Sequence, residues 1–163
     1  VGDEDNGSIE VLIGKILFNK EKTLSIAESC TGGKISSAIV TNAGASKFFN
    51  GGIVAYTKRS KTSVLNVSNE LIEDKGVVSS NVAEAMALGV KERFKSDYGL
   101  ATTGNAGPKF GDKNSKIGQV YIAIAGPHGV LSESHQMGNH RERVINKTTN
   151  KALEMLYKLI KSD

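Results

Sequence analysis

The chain has 163 residues, of which 39% are hydrophobic and 23% charged, the composition of an ordinary globular protein with one sizeable core. No apolar run approaches a membrane span and no signal peptide is recognisable, so we expect neither a membrane protein nor an exported one. The formal net charge of +4 allows anionic partners, but the lysines are scattered, which favours a solvated surface over a nucleic-acid face.

The start of the chain and its single cysteine indicate where the domain begins and where it works. The first residues are polar and acidic, which is typical of a linker, so we expect a tail over 1–8 and one folded domain over 9–163. Such a start suggests that the domain belongs to a longer protein. Cys30 cannot form an internal disulfide, which indicates a reducing cytoplasm.

The N-terminal half predicts helices that alternate with strands. Ser8 can cap a first helix whose apolar residues recur at helical spacing, and Gly32-Gly33 separate a short apolar strand from a second helix. A β-prone segment then precedes a short helix that Gly76 ends. The predicted elements are a helix over 9–17, a strand over 23–27, a helix over 34–41, a strand over 48–56 and a helix over 70–75.

The C-terminal half predicts a helix capped by Ser80, a strand, a hairpin and a long final helix. The hairpin strands are joined by Gly126-Pro127-His128-Gly129. Helices that alternate with strands around a hairpin predict an α/β layered domain with a mixed β-sheet. The predicted elements are a helix over 80–90, a strand over 98–102, hairpin strands over 119–125 and 130–135, and a helix over 144–160.

Ser29 lies where the first predicted strand turns into a helix, a position that exposes a side chain beside backbone N–H groups. A serine becomes a nucleophile when a base removes its proton, and the N–H groups at Gly32-Gly33 would then hold an oxyanion or a phosphate. Spacing alone favours a structural role, in which Ser29 and Thr31 simply cap the helix.

Lys61 and Tyr56 follow Ser29 at a distance that suggests a lysine base. A lysine ordinarily has a pKa near 10.4, so this role requires burial, and lowering that pKa by about three units costs roughly 4 kcal/mol. The competing interpretations are a solvated Lys61 and a Tyr56 that belongs to the core. Cys30 is a rival nucleophile, because a thiol at a helix N-terminus has a lowered pKa.

A second glycine-rich loop, Gly104-Asn105-Ala106-Gly107, follows another predicted strand. It would let the backbone approach a ligand, but it matches neither the dinucleotide nor the P-loop fingerprint, and a plain turn explains it as well. The histidines, His128, His135 and His140, lack the i, i+4 spacing and the cysteine partners of a metal site. The sequence therefore predicts no metal.

Several motifs occur in order along the chain. They are Ala27-Glu28-Ser29-Cys30-Thr31-Gly32-Gly33, then Gly52-Ile53-Val54-Ala55-Tyr56 with Lys61 on the same spacing, then Gly76-Val77-Val78-Ser79, then Thr103-Gly104-Asn105-Ala106-Gly107-Pro108, and then Gly118-Gln119-Val120-Tyr121. Together they resemble the CinA C-terminal domain family, which includes the nicotinamide mononucleotide deamidases. The resemblance covers nearly the whole chain, from the first helix to the last.

The resemblance implies a three-layer α/β/α sandwich with a mixed β-sheet, a homo-oligomer, and hydrolysis of the carboxamide of nicotinamide mononucleotide to nicotinate mononucleotide and ammonia. It makes Ser29 the nucleophile, Lys61 the general base and Tyr56 a partner in their hydrogen-bond network, with no metal or organic cofactor. Longer members of the family carry an N-terminal domain that resembles molybdopterin-binding proteins. The residues that it places at the substrate are Thr31, Gly32, Gly33, Gly104, Asn105, Ala106, Gly107 and Arg141.

Several positions depart from the family pattern around the expected substrate. Asn105 stands where the family has an apolar residue, and His140 replaces an acid that precedes the family arginine. Lys109, Phe110 and Lys116 replace glycines and a proline. These changes leave the expected dyad intact. Two further classes stay open beside the hydrolase: a nucleotide-binding module without catalysis, and an interaction domain in DNA uptake or repair.

Overall fold

The computed structural model describes residues 7–107 and 116–163, which build one sheet with helices on both of its faces. In chain order the elements are α1 (Ile9–Asn19), β1 (Leu24–Glu28), α2 (Lys34–Val40), a 3₁₀ turn (Ala45–Lys47), β2 (Phe49–Val54), α3 (Lys58–Leu65), α4 (Asn69–Lys75), α5 (Ser80–Phe94), β3 (Tyr98–Gly104), β4 (Gln119–Gly126), β5 (Gly129–Gln136) and α6 (Arg141–Ser162).

The sheet is mixed, with strand order β2-β1-β3-β4-β5. β1 runs parallel to both β2 and β3, with Ala27 opposite Ile53 on one side and Ala101 on the other. β4 runs antiparallel to both of its neighbours, β3 and β5. The carboxyl ends of β1, β2 and β3 therefore meet at one edge of the sheet, the edge at which ligands bind in open α/β folds.

The two faces of the sheet carry side chains of different size. Leu24 and Ile26 of β1 pack into a core with α1, α2 and α6, whereas Ala27 faces a second core formed with α3, α4 and α5. Small residues on this second face let α5 approach closely: a Cβ at Gly99 would meet the carbonyl oxygen of Ala87. The three-layer α/β/α fold with a mixed sheet is confirmed.

The predicted elements are all present, and the structure corrects four details. Ser8 is the N-cap residue of α1, but its side chain forms no capping hydrogen bond. An unpredicted helix, α3, follows β2, which ends at Val54 instead of Tyr56. The cap of α5 is Ser79, whose hydroxyl accepts from the Val82 N–H, and not Ser80. The helix was missed because its sequence, KRSKTSVL, offers no apolar stripe of the usual kind.

Gly89 tests the close approach of α5 to α3. A glycine-to-alanine change inside a helix normally stabilises a protein by up to about 1 kcal/mol. Here a Cβ would meet the backbone carbonyl of Leu65 at the end of α3, so we expect Gly89→Ala to destabilise by about 1–3 kcal/mol. Urea unfolding measures the change. The exposed Glu92 of the same helix provides the control, Glu92→Ala, and an equal or higher stability of Gly89→Ala would contradict this packing.

Candidate active site

The candidate site lies at the edge where β1, β2 and β3 end. Ser29 directly follows β1, Tyr56 follows β2, and Asn105 follows β3. These ends border a cavity of about 150 Å³ that Lys61 and Arg141 also line. Larger clefts exist among the described residues, but none of those found holds a buried serine in contact with a lysine.

Lys61 and Ser29 form a buried pair. Lys61 Nζ lies 2.9 Å from Ser29 Oγ, and the two residues are 1% and 6% exposed. Nζ also donates to the carbonyl oxygens of Ala55, at 2.8 Å, and Tyr56, at 3.2 Å. A neutral amine has two N–H donors and one lone pair. In the charged form, Nζ donates to Ser29 Oγ as well. In the neutral form, with both donors held by the carbonyls, the lone pair would face the Ser29 hydroxyl, as a base faces a nucleophile.

Burial sets the protonation of Lys61. Desolvation lowers its pKa from 10.5 to about 8, and the nearby Cys30 opposes this shift. With a pKa of about 8, about a tenth of the molecules carry a neutral Lys61 at pH 7. Lys61 is therefore a buried amine beside Ser29, and the interpretation of Lys61 as a solvated surface residue is wrong. Its role as a base stays a prediction.

The local sequence explains why α3 turns Lys61 inward. Thr57 caps this helix and forms a capping box with Ser60, so the helix starts at a fixed point directly after Tyr56. Lys61 and Leu65 are its buried residues, one turn apart, and Leu65 packs in the core beneath α5. Leu65 thus anchors the helix face that carries the amine.

Glu28 occupies the helix N-terminus that follows Ser29. Its carboxylate accepts from the N–H groups of Ile35 and Ser36, at 3.0 and 2.9 Å, while the Gly32 N–H donates to the Ser29 carbonyl at 3.1 Å. The N–H groups of Gly32, Ile35 and Ser36 therefore already have partners inside the protein. That N–H groups at Gly32-Gly33 hold an oxyanion stays a prediction, which the pairing of Gly32 narrows to Gly33.

Thr31 is turned into the protein and away from the cavity. Its hydroxyl donates to Glu28 at 2.6 Å and lies 2.9 Å from the hydroxyl of Thr102 on β3. Gly33 is the cap of α2, with φ of 102° and no side-chain cap. Ser29 and Thr31 therefore do not cap the helix. Among the described residues, the lining of the cavity does not include Thr31, Gly32 or Gly33.

Cys30 is no rival to Ser29. Burial raises the pKa of its thiol to about 12 and outweighs the lowering effects of the Thr102 hydrogen bond and the Lys61 charge. The thiol is therefore protonated at neutral pH. A Cβ at Gly104 would lie 2.5 Å from Val120 Cγ1 and 3.1 Å from the Cys30 sulfur, so a larger residue would not fit at this position.

Tyr56 and Arg141 pair at the mouth of the cavity. Arg141 Nη2 donates to the Tyr56 hydroxyl at 2.7 Å, and Nη1 donates to the Gly107 carbonyl at 2.6 Å. The side chain of Tyr56 is 54% exposed, so the interpretation of a core tyrosine is wrong. Only its carbonyl contacts Lys61, whereas its hydroxyl serves the arginine.

The loop after β3 is held by its own asparagine. The Gly107 N–H donates to Asn105 Oδ1 at 3.0 Å, and the Asn105 backbone pairs with Gly118 and Gln119. This loop brings Asn105 and Ala106 to the cavity, while Gly107 takes part through its contact with Arg141. Lys109 and Phe110, which differ from the family pattern, lie outside the described residues.

Sequence reasoning missed three residues of the cavity wall: Val77, Val78 and Thr103. The Thr103 hydroxyl donates to the Val77 carbonyl at 3.0 Å, which ties β3 to the segment before α5. The motifs Gly76-Val77-Val78-Ser79 and Thr103-Gly104 contained this signal, but nothing in their spacing assigned them to the same site.

The described part of the chain contains neither a cluster of metal ligands nor a membrane-spanning helix. In residues 7–107 and 116–163, no three His, Cys, Asp or Glu side chains come together as a metal site requires. None of the helices described there has the length and apolar character needed to cross a bilayer.

The sequence matches known proteins over nearly its whole length. Residues 6–160 match the family described as the CinA C-terminal domain. A CinA-like protein of Flavobacterium psychrophilum is 51% identical over 160 residues, which are 98% of this chain and 38% of that protein. A CinA-like protein of Synechococcus elongatus is 44% identical over 139 residues, which are 85% of this chain and 33% of the relative. The chain thus spans well under half of the length of these relatives.

Solved structures show the same fold. The competence/damage inducible protein CihA from Agrobacterium tumefaciens is 35% identical, with a TM-score of 0.86 over 94% of this chain and 96% of that one. A competence-damaged protein (CinA) superfamily protein from Escherichia coli is 32% identical, with a TM-score of 0.88 over 93% and 90% of the two chains.

The fold and the site define an α/β/α domain with a buried serine–lysine pair where its parallel strands end. The match over residues 6–160, together with the similarity to the Agrobacterium structure, identifies the particular family. The chain belongs to the CinA C-terminal domain family, of the competence/damage-inducible type, and the resemblance drawn from the ordered motifs is confirmed.

The lowered pKa of Lys61 predicts a specific pH dependence of stability. Between about 8 and 10.5, the unfolded chain binds a proton at Lys61 that the folded chain does not, so stability rises with pH there. Below about 8 both states are protonated, and the folded state bears the full cost of the buried charge. We expect the parent to gain up to about 3 kcal/mol across this window relative to Lys61→Met.

Urea unfolding of both proteins across this pH window measures the difference. The exposed Lys15 of α1 provides the control, since Lys15→Met should follow the parent curve at every pH. Parallel curves for the parent and Lys61→Met would show that Lys61 has an ordinary pKa, and would contradict the assigned base.

Proposed function

We propose that this domain is a nicotinamide-nucleotide amidohydrolase, which converts nicotinamide mononucleotide and water to nicotinate mononucleotide and ammonia. The observation that carries the proposal is the 2.9 Å contact between Lys61 Nζ and Ser29 Oγ, inside a cavity with Arg141 at its mouth. A buried lysine with a lowered pKa beside a serine is the arrangement that activates a hydroxyl nucleophile without histidine.

The first half of the reaction forms an acyl-enzyme. Neutral Lys61 takes the proton of Ser29, and the oxygen attacks the carboxamide carbon of the nucleotide. The tetrahedral intermediate collapses when the C–N bond breaks, and Lys61 returns its proton to the departing ammonia. The cationic pyridinium ring withdraws electrons from the carboxamide, which makes this amide a better electrophile than a peptide.

The second half reverses these steps with water. Lys61 removes a proton from a water molecule, the hydroxide attacks the ester, and Ser29 leaves as its alcohol with the proton from Lys61. Lys61 therefore carries one proton in each half of the reaction, the first from Ser29 to ammonia and the second from water to Ser29.

The walls of the cavity suit the two ends of the substrate. Val77 and Val78 line the cavity together with Ser29 and would offer an apolar surface to a flat ring. Arg141 lies at the mouth, where its remaining N–H donors would bind the ribose phosphate. Asn105 and Ala106 would lie against the same part of the substrate.

The setting of the domain is also part of the proposal. The curated relatives are more than twice as long as the chain, which supports a parent protein with a further, N-terminal molybdopterin-binding-like domain ahead of the domain over 9–163. We propose a homo-oligomer that works in the cytoplasm and recycles pyridine nucleotides. We propose no role for a metal, an organic cofactor, a nucleic acid or a membrane.

Ammonia release from nicotinamide mononucleotide tests the nucleophile. We expect the parent to release ammonia, Ser29→Ala to lose at least about 1,000-fold in kcat, and Cys30→Ala to stay within about threefold of the parent. Loss of turnover in Cys30→Ala with turnover kept in Ser29→Ala would reverse the assignment. Tight binding of the mononucleotide without ammonia release from the parent would favour a binding module instead.

Arg141 tests how the substrate is held. A charged hydrogen bond contributes about 1.5–3 kcal/mol, so we expect Arg141→Ala to raise KM by about 10- to 100-fold and to change kcat much less. The neighbouring Arg143, an exposed residue of α6, supplies the control, since Arg143→Ala should leave KM unchanged. An unaltered KM in Arg141→Ala would place the phosphate elsewhere.

A further inference from the structure

We propose that Glu28 is a positioning residue that fixes the turn carrying Ser29 and so sets the alignment of the hydroxyl with Lys61. This inference rests on the proposed role of Ser29 as the nucleophile. It goes beyond that role because Glu28 lines no part of the cavity in the described residues and acts through the backbone of its neighbour.

The side chain of Glu28 is a fully buried anchor. It is 0% exposed, and one oxygen accepts from the Thr31 hydroxyl, at 2.6 Å, and the Ile35 N–H, at 3.0 Å. The other oxygen accepts from the Ser36 N–H, at 2.9 Å. Three donors on two oxygens are the contacts that a buried carboxylate requires.

These contacts close the turn on both sides of Ser29. Glu28 directly precedes Ser29, and its partners lie in the turn and in the first turn of α2 that follow it. The Gly32 N–H donates to the Ser29 carbonyl within the same turn, and the Thr31 hydroxyl also contacts Thr102 of the neighbouring β3. Ser29 is thus held between the end of β1 and a helix start that the same carboxylate fixes.

An amide cannot replace this carboxylate. A glutamine has one acceptor oxygen and one NH₂ group, so the NH₂ group would face a backbone N–H that needs an acceptor. The Ser36 N–H or the Ile35 N–H would lose its partner, and the turn would have to move. A displacement of about 1 Å at a reacting group can cost about 100-fold in rate.

Covalent labelling of Ser29 by a small fluorophosphonate tests the inference without the nucleotide. Ser29 Oγ bonds to phosphorus, fluoride leaves, and Lys61 takes the proton, so the labelling rate reports the alignment of the pair. Mass spectrometry follows the adduct as a function of pH. We expect Glu28→Gln to lower the plateau rate by at least about tenfold, with the pH midpoint unchanged.

Two further variants make the result decisive. Thr31→Val removes one donor to Glu28 and provides a milder change if Glu28→Gln does not fold; its plateau should fall by about three- to tenfold. The control is Asp97→Asn, since Asp97 accepts from the Thr23 N–H and hydroxyl at the opposite end of β1, at 2.8 and 3.1 Å. This control should lose stability but keep the parent labelling rate.

The outcomes separate the claims. A parent-like plateau in both Glu28→Gln and Thr31→Val would overturn the inference, as would an equal loss of labelling in Asp97→Asn. A shifted pH midpoint would show that Glu28 acts through its charge, which also overturns a role in alignment. Labelling of the parent without ammonia release would reject the nucleotide substrate alone, whereas no labelling would reject Glu28 and Ser29 together.

Discussion

The burial of one lysine is the constraint on which this site depends. Holding Lys61 with a pKa of about 8 instead of 10.5 costs the folded state about 3 kcal/mol at neutral pH. That is a large share of the roughly 5–15 kcal/mol by which a domain is stable. Leu65, one turn further along α3, packs in the core beneath α5 and offsets this cost by holding the helix face that carries Lys61.

The sheet makes this burial possible through the unequal size of its two faces. Long aliphatic side chains fill the layer beneath α1 and α6, whereas alanines face α5 on β1, β3 and β4. A helix can approach a surface of alanines and glycines closely, and α3 then packs on α5 through Leu65. The small residues of the strands therefore set the distance at which Lys61 reaches Ser29.

Sequence patterns predicted most of the fold, and they failed at the helix in which a buried lysine takes the place of an apolar core residue. Both faces of β1 are buried, so its composition marked it as a strand although it does not alternate. The helix α3 was missed because a lysine takes the core position one turn before Leu65, which destroys the apolar period. Sequence rules are expected to fail at functional residues, because such residues are selected for chemistry and not for packing.

The candidate site was predictable only where a motif marked its residues. Motifs identified Ser29, Lys61 and Arg141, which the fold brings to one cavity. The start of α2 was misassigned because capping rules consider residues within about three positions, whereas Glu28 reaches Ser36, eight residues on. The side chain of Tyr56 was likewise misplaced, since its partner Arg141 lies on the last helix.

The two parts of the site are built from opposite layers. Lys61 reaches Ser29 from the layer of α3, α4 and α5, whereas Glu28 extends into the layer of α2. The loop around Asn105 pairs with itself and with the start of β4, and its Ala106 packs in a small core with Cys30, the residue after Ser29. The departures from the family pattern in that loop and at His140 leave the contact of Lys61 with Ser29 and those of Glu28 with α2 in place. A chain that departs from its family at the substrate can in this way keep the reacting pair.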